Sequence, residues 1–382
     1  MKLPLPCKST TAFSLLTAIN LLFVYKYAVR VLPNAEILTL LFAAFSIAAW
    51  HLKNKISITQ KQLVIITICI MSIFTLLSVY LFKRISIYSL NVDRWSVITS
   101  FWDTFFNNEY AYYARSFEGN PPGPMPFYFI LSFPFYLIGE LGILSLSGLF
   151  VFAAIIYKSS AWRNNKLWAV VYLATSSFYL WEISTRSNIF LNSTLALIVL
   201  VWFGELQKEN SRWLLINAAC AGLMLATRSI FVIPYIIVFM HALKRKEITF
   251  AKLSIFGMVA FIAFSLTFVP FVIKHPNDFL VVNPFIIQGT FLVPFHYTIF
   301  FIALAFVSVN LCKDKLDTIF YSGFVLFVSI AVYSLYHAFN RGLMDAFVNN
   351  GVDISYFIFS VPFFMFYLIK SSSPGGSDYQ KG

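Results

Sequence analysis

Long apolar runs alternate along this chain with short polar clusters that hold Lys, Arg and Asn. The runs lack the period-two alternation of half-buried β-strands, and many approach the ~20 residues with which an α-helix crosses a bilayer. Lipid offers the backbone no hydrogen-bond partners, so a helical bundle is favoured. The pattern predicts an all-α, polytopic transmembrane helical bundle of about 12 spans, with a range of about 10 to 13. The expected spans are 11–27, 35–51, 63–82, 127–157, 167–181, 189–206, 213–227, 229–243, 253–273, 295–312, 318–336 and 357–370.

One expected span, 127–157, is too long for a simple crossing. It contains Pro134, Gly139 and Glu140, which favour either a tilted helix or a re-entrant piece followed by a helix. Three other spans are short, which is typical of broken or half-depth helices beside a cavity: 167–181, 213–227 and 229–243.

Composition excludes the soluble classes. Of the 382 residues, 59% are hydrophobic and only 12% are charged, against roughly 25% charged in soluble domains. The mean hydropathy is +0.77. With four scattered Cys and 15 Gly, neither a disulfide framework, a metal knuckle nor a collagenous chain is indicated.

The net charge of +12 is typical of nucleic-acid binding or of a membrane topology. If the N-terminus is cytoplasmic, the inside segments hold 18 of the 28 basic residues and 6 of the 16 acidic ones. The whole surplus, 18 − 6 = 12, then lies inside. Lys-rich short loops set orientation, so both termini are expected inside, and nucleic acid is not an expected partner.

Residues 1–370 are expected to form one transmembrane domain, followed by a polar, disordered tail at 371–382. The large extracytoplasmic loops are expected at 83–126, 274–294 and 337–356. Inside loops are short, so any chemistry is expected on the extracytoplasmic side.

The first loop contains SVITSFWDTFFNN, whose apolar residues recur at spacings of three and four. This spacing predicts an amphipathic helix that lies in the membrane interface. The segment GNPPGPMP (119–126) follows and predicts a rigid turn back to the bilayer. The apolar positions of the helix are Val97, Ile98, Phe101, Trp102, Phe105 and Phe106.

Asp93, in NVDRWS, stands just before this helix. A carboxylate at the membrane surface is well placed to deprotonate an acceptor hydroxyl. The alternatives are a helix N-cap or an ion pair with Arg94. The same loop contains three more acids, Asp103, Glu109 and Glu118. One interpretation is that they bind a metal or the acceptor, and the alternative is that they form a solvated surface of the loop.

Three further residues lie between apolar stretches. Glu182 and Arg186, in WEISTRSN, have the spacing of an intrahelical ion pair, while the alternative is that Arg186 meets a phosphate. Arg228, in LATRSIFVIPY, has no acid beside it in the sequence. It indicates an anionic ligand, with a snorkelling Arg as the alternative.

In the last large loop, His337, Arg341 and Asp345 are spaced by four and share one face if the segment is helical. A lone His in a loop is more often structural than catalytic. Only Arg341 and His337 are therefore taken as candidate site residues in this loop.

The layout resembles the GT-C superfamily of integral-membrane glycosyltransferases, of the type that uses polyprenyl-phosphate sugars. The position of NVDRWS before an interfacial helix is similar to that of the family's first-loop acid, and NPFIIQ (283–288) looks similar to loop segments of bacterial polyprenol-dependent members. The adjacent Asp-Glu pair of protein O-mannosyltransferases and a large C-terminal soluble domain are absent. These departures argue against those enzymes and against the oligosaccharyltransferase catalytic subunit.

The resemblance implies inverting transfer of a hexose such as mannose from a polyprenyl-phosphate donor to a glycan or lipid acceptor, in a bacterial inner membrane. Asp93 would be the general base. No cofactor is implied with certainty, and a divalent metal is possible. The implied donor-phosphate residues are Arg186, Arg228, Arg341 and His337, and the implied acceptor or sugar contacts are Arg94, Trp95, Asp103, Glu109 and Glu182.

Two other classes remain open. An O-antigen or capsule polymerase or ligase also has about a dozen spans and outside Arg residues, but normally carries its largest loop late in the chain. A flippase or transporter of lipid-linked saccharides usually has internal repeats and charges at the midplane of its spans.

Overall fold

The computed structural model describes residues 8–371 except 54, 57, 91, 207–210, 290 and 350. The predicted tail thus lies outside the described residues from position 372 onwards. Throughout the described part the regular elements are α-helices and short 3₁₀ turns, which confirms the all-α class. The helices are α1 (Lys8–Ala28), α2 (Ala35–Leu52), α3 (Gln60–Arg84), α4 (Arg94–Phe106), α5 (Pro126–Ile138), α6 (Gly142–Lys158), α7 (Arg163–Thr175), α8 (Ser177–Thr185), α9 (Ile189–Leu206), α10 (Ser211–Leu225), α11 (Val232–Lys244), α12 (Phe250–Leu266), α13 (Val269–Val272), α14 (Pro276–Val281), α15 (Pro284–Gln288), α16 (Phe295–Leu311), α17 (Lys315–Arg341), α18 (Leu343–Phe347) and α19 (Val361–Ser371).

Six helices among the described residues are long and apolar enough to cross a membrane. The number rises to eight if each of two sharply bent helix pairs counts as one span. By length and composition, these helices are compatible with a multi-pass membrane protein. The twelve expected spans stay a prediction, because α10, α11 and α16 are apolar but shorter.

The expected span 127–157 is broken into α5 and α6, whose axes turn by 118°. Gly139 ends α5 with a φ of +82°, a left-handed conformation that glycine adopts without steric cost. Phe127 N at the start of α5 donates to Ala226 O at 2.8 Å, and Glu140 after its end pairs with Arg186. A single tilted helix is therefore wrong, and the bend is that of a broken span or of a re-entrant piece followed by a helix.

The expected span 167–181 contains a second break, between α7 and α8 at Ser176. The fully buried Asn20 of α1 supplies the missing partners there. Its Oδ1 accepts a 2.9 Å hydrogen bond from Ser177 N, and its Nδ2 donates to the Tyr172 hydroxyl at 2.7 Å. Because helix termini leave backbone N–H groups without partners, a buried amide is needed where a helix restarts inside a bundle.

The predicted amphipathic helix forms as α4, but its apolar side faces protein. Ile98 and Phe101 are fully buried, and the Phe101 ring is stacked 3.6 Å from that of Phe129 in α5. Since α5 lies across the same end of the bundle, it covers the surface that was expected to meet lipid. Phe106, at the last turn, is 51% exposed.

Two groups of polar contacts join the connecting segments near opposite ends of α17, whose 27 residues span about 40 Å. At one end, formed by the segments expected inside and here called the Lys-rich end, Lys8 pairs with Asp317 and Lys315 Nζ donates to Gly204 O. At the long-loop end, formed by 83–126, 274–294 and 337–356, Lys26 Nζ donates to Val352 O. Segments expected on one side of the membrane thus lie together.

Candidate functional site at the long-loop end

Asp93 stands at the N-terminus of α4 but does not cap that helix. Its Oδ2 accepts hydrogen bonds from Ser116 Oγ at 2.7 Å and from Asn120 Nδ2 at 2.9 Å. Among the described residues, Oδ1 accepts no hydrogen bond and no ion pair forms between Asp93 and Arg94. The carboxylate is thus oriented through one oxygen and keeps the other for a ligand.

A tight turn at 116–120 places the two donors. Ser116 N donates to Asn120 O at 2.9 Å and Gly119 N to Ser116 O at 2.8 Å, with Gly119 at a φ of +82° that suits glycine. Ser96 Oγ joins the turn to α4, since it donates to Asp93 O and accepts from Phe117 N. The turn and the helix start therefore form one unit around Asp93.

Arg94 connects this unit to the last long loop. Its guanidinium forms an ion pair with Asp353, donates to Ser355 Oγ at 3.1 Å and lies 5.3 Å from the centre of the Tyr356 ring. The Arg94 side chain is only 13% exposed. It therefore adds positive charge at the site while its hydrogen bonds go to protein.

Arg228 lies between α10 and a 3₁₀ turn, in extended backbone. Its guanidinium carbon is 5.1 Å from the centre of the Tyr128 ring, and its buried Nε has no hydrogen-bond partner in the described part of the chain. No described carboxylate lies within ion-pair distance of it. The predicted lone arginine is thus also without a paired acid in three dimensions.

Several of these charged groups act on the hydroxyl of one residue, Tyr128. Tyr128 is buried, and the charges of Arg228, Arg94, Glu182 and Asp93 also act on its hydroxyl. Arg94 and Arg228 also act on each other, and both act on Tyr356. Two guanidiniums and two carboxylates therefore act on Tyr128, and such a mixture of charges suits an anionic ligand with a nearby base.

Two segments singled out in the sequence hold Arg228 in place. Phe127, directly after GNPPGPMP, donates its backbone N–H to Ala226 O in the turn that follows α10, as described above. Gln288, the last residue of NPFIIQ, accepts from Ser229 N at 3.0 Å and donates from Nε2 to Gly123 O. Its buried amide therefore connects both segments beside the arginine.

Glu118 is a carboxylate that the sequence singled out only as a member of the loop. Partial burial and the negative charge of Asp93 raise its pKa, and the positive charge of Arg94 opposes the shift. The two carboxylates thus act on one another across the 116–120 turn.

Glu182 and Arg186 do not form the expected intrahelical pair. Glu182 accepts from Phe190 N at 3.0 Å and Ser187 Oγ at 3.1 Å, so its charge lies at the N-terminus of α9, where it is favourable. Arg186 instead pairs with Glu140 at 3.3 Å.

Arg186 is also the C-cap residue of α8, and its backbone has a left-handed φ of +57°. Besides Glu140, its guanidinium donates to the carbonyls of Ser184, Phe82 and Ile85. These four bonds leave one of its five N–H groups for a ligand. The residue is 3% exposed and joins the ends of α3, α5 and α8.

The other candidate residues of α4 and of the following turn make no described hydrogen bond or ion pair with Asp93. Trp95 is 8% exposed and packs edge-on against Tyr88 at 5.1 Å. Asp103 accepts from the Tyr136 hydroxyl at 2.6 Å and lies about 15 Å further along the helix axis. Glu109 is exposed in the turn after α4.

His337 and Arg341 lie on the last turns of α17. The His337 ring is 4.8 Å from that of Tyr333, which in turn lies 5.9 Å from Tyr356. The shared face with Asp345 is not present, because α17 ends at Arg341 and Asp345 belongs to α18. Arg341 is exposed and acts electrostatically on Tyr333.

Within the described ranges, no three His, Cys, Asp or Glu side chains lie close enough together to hold a metal ion. The sequence does not distinguish Tyr128, Tyr356 and Asn120 as candidate site residues, because aromatic residues and loop amides are abundant in this chain. The only signal for Asn120 was its position in a Pro/Gly-rich turn.

No protein-family model, curated protein or solved structure matches this chain.

Proposed function

We propose that this protein is an integral-membrane glycosyltransferase that moves a hexose, such as mannose, from a polyprenyl-phosphate donor to an extracytoplasmic glycan or lipid acceptor. One observation carries the proposal: the carboxylate of Asp93 is oriented through Oδ2, and Arg228, which lies over the Tyr128 ring without a described carboxylate partner, acts electrostatically on the same tyrosine as Asp93 does. Sugar transfer from a lipid phosphate needs a base for the acceptor hydroxyl and positive charge for the departing phosphate.

Asp93 takes the proton of the acceptor hydroxyl through its Oδ1. The acceptor oxygen attacks C1 of the sugar from the face opposite the phosphate, so the new C1–O bond forms while the bond from C1 to the phosphate oxygen breaks. The phosphate keeps the bonding electron pair, and the configuration at C1 inverts. Ser116 and Asn120 hold the carboxylate for this step.

Arg228 binds the donor phosphate, whose negative charge grows as the bond to C1 breaks. Arg94 strengthens the positive field without direct contact, since Asp353 and Ser355 occupy its guanidinium. Arg341 and His337 supply further phosphate contacts from the end of α17. The acceptor lies on the Asp93 side, beside Glu118.

We also propose the twelve-span topology, with the long-loop end outside a bacterial inner membrane. The contacts at the two ends support it, because successive connections contact alternate ends from Lys8 to Ser371. The basic surplus of the inside segments favours the Lys-rich end as the cytoplasmic one.

Binding of undecaprenyl phosphate to the purified full-length protein, measured by native mass spectrometry, tests the donor site. Arg228→Ala is expected to weaken binding about tenfold or more, because a charge-assisted hydrogen bond to a phosphate is lost. Arg84→Ala is the control, since Arg84 is an exposed base at the same end that lies over Tyr80. Equal loss in both variants, or none in Arg228→Ala, contradicts the assignment.

A further inference from the structure

A groove of about 380 Å³ lies between α11 and α16, on the half of the bundle away from Asp93. Its volume is within the ~300–1,000 Å³ range of small-molecule sites. Met240, Leu243, Phe306 and Val309 line most of it. Phe306 is 46% exposed, so the groove opens outward between the two helices.

One end of the groove is polar and positively charged. Lys244 and Asn310 line it there, and Lys244 Nζ donates to Asn310 Oδ1 at 2.8 Å. The amide is neutral, and no carboxylate of the described residues lies within ion-pair distance of Lys244. A basic group without a described ion-pair partner therefore stands at one end of a mainly apolar groove.

Two further bases adjoin Lys244. Helix α11 ends at Lys244, and the exposed Arg245 and Lys246 follow it directly. Arg245 donates to Lys313 O at 2.6 Å, which fixes its side chain beside the start of α17. Three acids lie near this end: Glu247 pairs with Lys315, Asp317 pairs with Lys8, and Asp314 accepts from Asp317 N as the cap of α17. The end of the groove therefore carries surplus positive charge at the Lys-rich end.

We infer that this groove binds an anionic phospholipid, with one acyl chain against Leu243 and Phe306 and the phosphate at Lys244 and Arg245. Basic clusters at the ends of membrane helices attract anionic headgroups, and each base near the surface contributes about a fivefold gain in affinity. The apolar part of the groove, which leads away from the bases, can hold the acyl chain of such a lipid. The inference does not rest on the proposed enzyme activity, because the groove and Asp93 lie at opposite ends.

Native mass spectrometry of the full-length protein with phosphatidylglycerol or phosphatidylcholine of identical acyl chains tests the inference. The wild type is expected to retain phosphatidylglycerol in preference. Lys244→Ala is expected to weaken that retention about fivefold. Lys61→Ala, which removes an exposed base at the same end but far from the groove, should leave it unchanged.

A second variant separates the contribution of the lipid's acyl chain to binding from that of its headgroup. Leu243→Trp fills the apolar part and should lower retention of phosphatidylglycerol while all bases remain. Equal retention of the two lipids by the wild type overturns the inference. So does unchanged retention in Lys244→Ala, or an equal loss in Lys244→Ala and Lys61→Ala, which would indicate general surface charge.

Discussion

Asn120 donates a 2.9 Å hydrogen bond from its side-chain amide to Oδ2 of Asp93. This contact joins the Pro/Gly-rich turn of the first long loop to the start of α4. It turns the carboxylate away from the helix N-terminus, where it would otherwise act as a cap. Asn120 thereby positions the base of the proposed reaction without contacting the reacting atoms.

Replacing Asn120 with alanine is therefore expected to lower kcat about tenfold to a hundredfold, because small misplacements of a catalytic group are costly. The KM for the lipid donor should stay close to that of the wild type. Steady-state kinetics on purified protein measures both. Asn108→Ala, in the same loop but next to Lys274, is the control. An equal loss in both variants would assign the effect to the loop as a whole.

The ion pair between Arg94 and Asp353 is expected to stabilise the long-loop end. Arg94 is largely buried while Asp353 is 33% exposed, so solvent screens part of the attraction. A coupling free energy of about 1 kcal/mol is expected in a double-mutant cycle of Arg94→Ala and Asp353→Ala, read from thermal unfolding. Additive effects of the two substitutions would show that the pair contributes nothing of its own.

Arg186 and Arg228 show what the sequence reveals and what it hides. Arg228 has no acid near it in the sequence and no described ion-pair partner in the structure. The segments that pack beside it contribute apolar side chains and the amide of Gln288. Arg186 also looked available for phosphate. Its partner Glu140 is 46 residues away, and the break between α5 and α6 that brings it close is a tertiary feature.

The same limit applies to α4. Its spacing predicts an amphipathic helix correctly, but periodicity does not say whether lipid or protein covers the apolar side. Phe129 of α5 covers Phe101 only because α5 lies across the end of the bundle. Asp93 was identified by its place before this helix, whereas Glu118 and Tyr128 join it through folding of the loop.

Substitution of Arg186 is expected to destabilise the protein rather than to weaken donor binding. Arg186→Ala leaves three carbonyls and Glu140 without their donor, and a cost of about 2–4 kcal/mol follows from such buried losses. Thermal unfolding in detergent measures the change. The folded fraction should bind undecaprenyl phosphate as the wild type does, and a loss of binding without a loss of stability would contradict this role.

The pH dependence of turnover should respond to Glu118. Its pKa is raised by partial burial and by Asp93, so the two negative charges oppose one another. Glu118→Gln removes this carboxyl with its raised pKa from the titration of the site. The acidic limb of the pH–rate profile is therefore expected to shift to lower pH. Glu109→Gln, in the same loop, should leave the limb in place, and a shift to higher pH in Glu118→Gln is the opposite of this expectation.

Folding stability should follow the same linkage. A carboxyl whose folded pKa is raised binds more protons when folded than when unfolded in the window between the two pKa values. The contribution of Glu118 to stability is therefore greatest at low pH and falls as pH rises through that window. Glu118→Gln is expected to flatten this part of the stability profile, as thermal unfolding at several pH values would show.

Release of undecaprenyl phosphate from undecaprenyl-phosphate-mannose, by the purified protein mixed with cell-envelope acceptor, tests the central claim most directly. The wild type is expected to release the lipid phosphate and to form a product with inverted configuration. Asp93→Asn, folded to the same extent, should lose at least about a hundredfold in rate, while Asp103→Asn on the same helix should retain activity. An equal rate in Asp93→Asn and the wild type, or transfer of the intact donor across a membrane without release of the phosphate, would contradict the account.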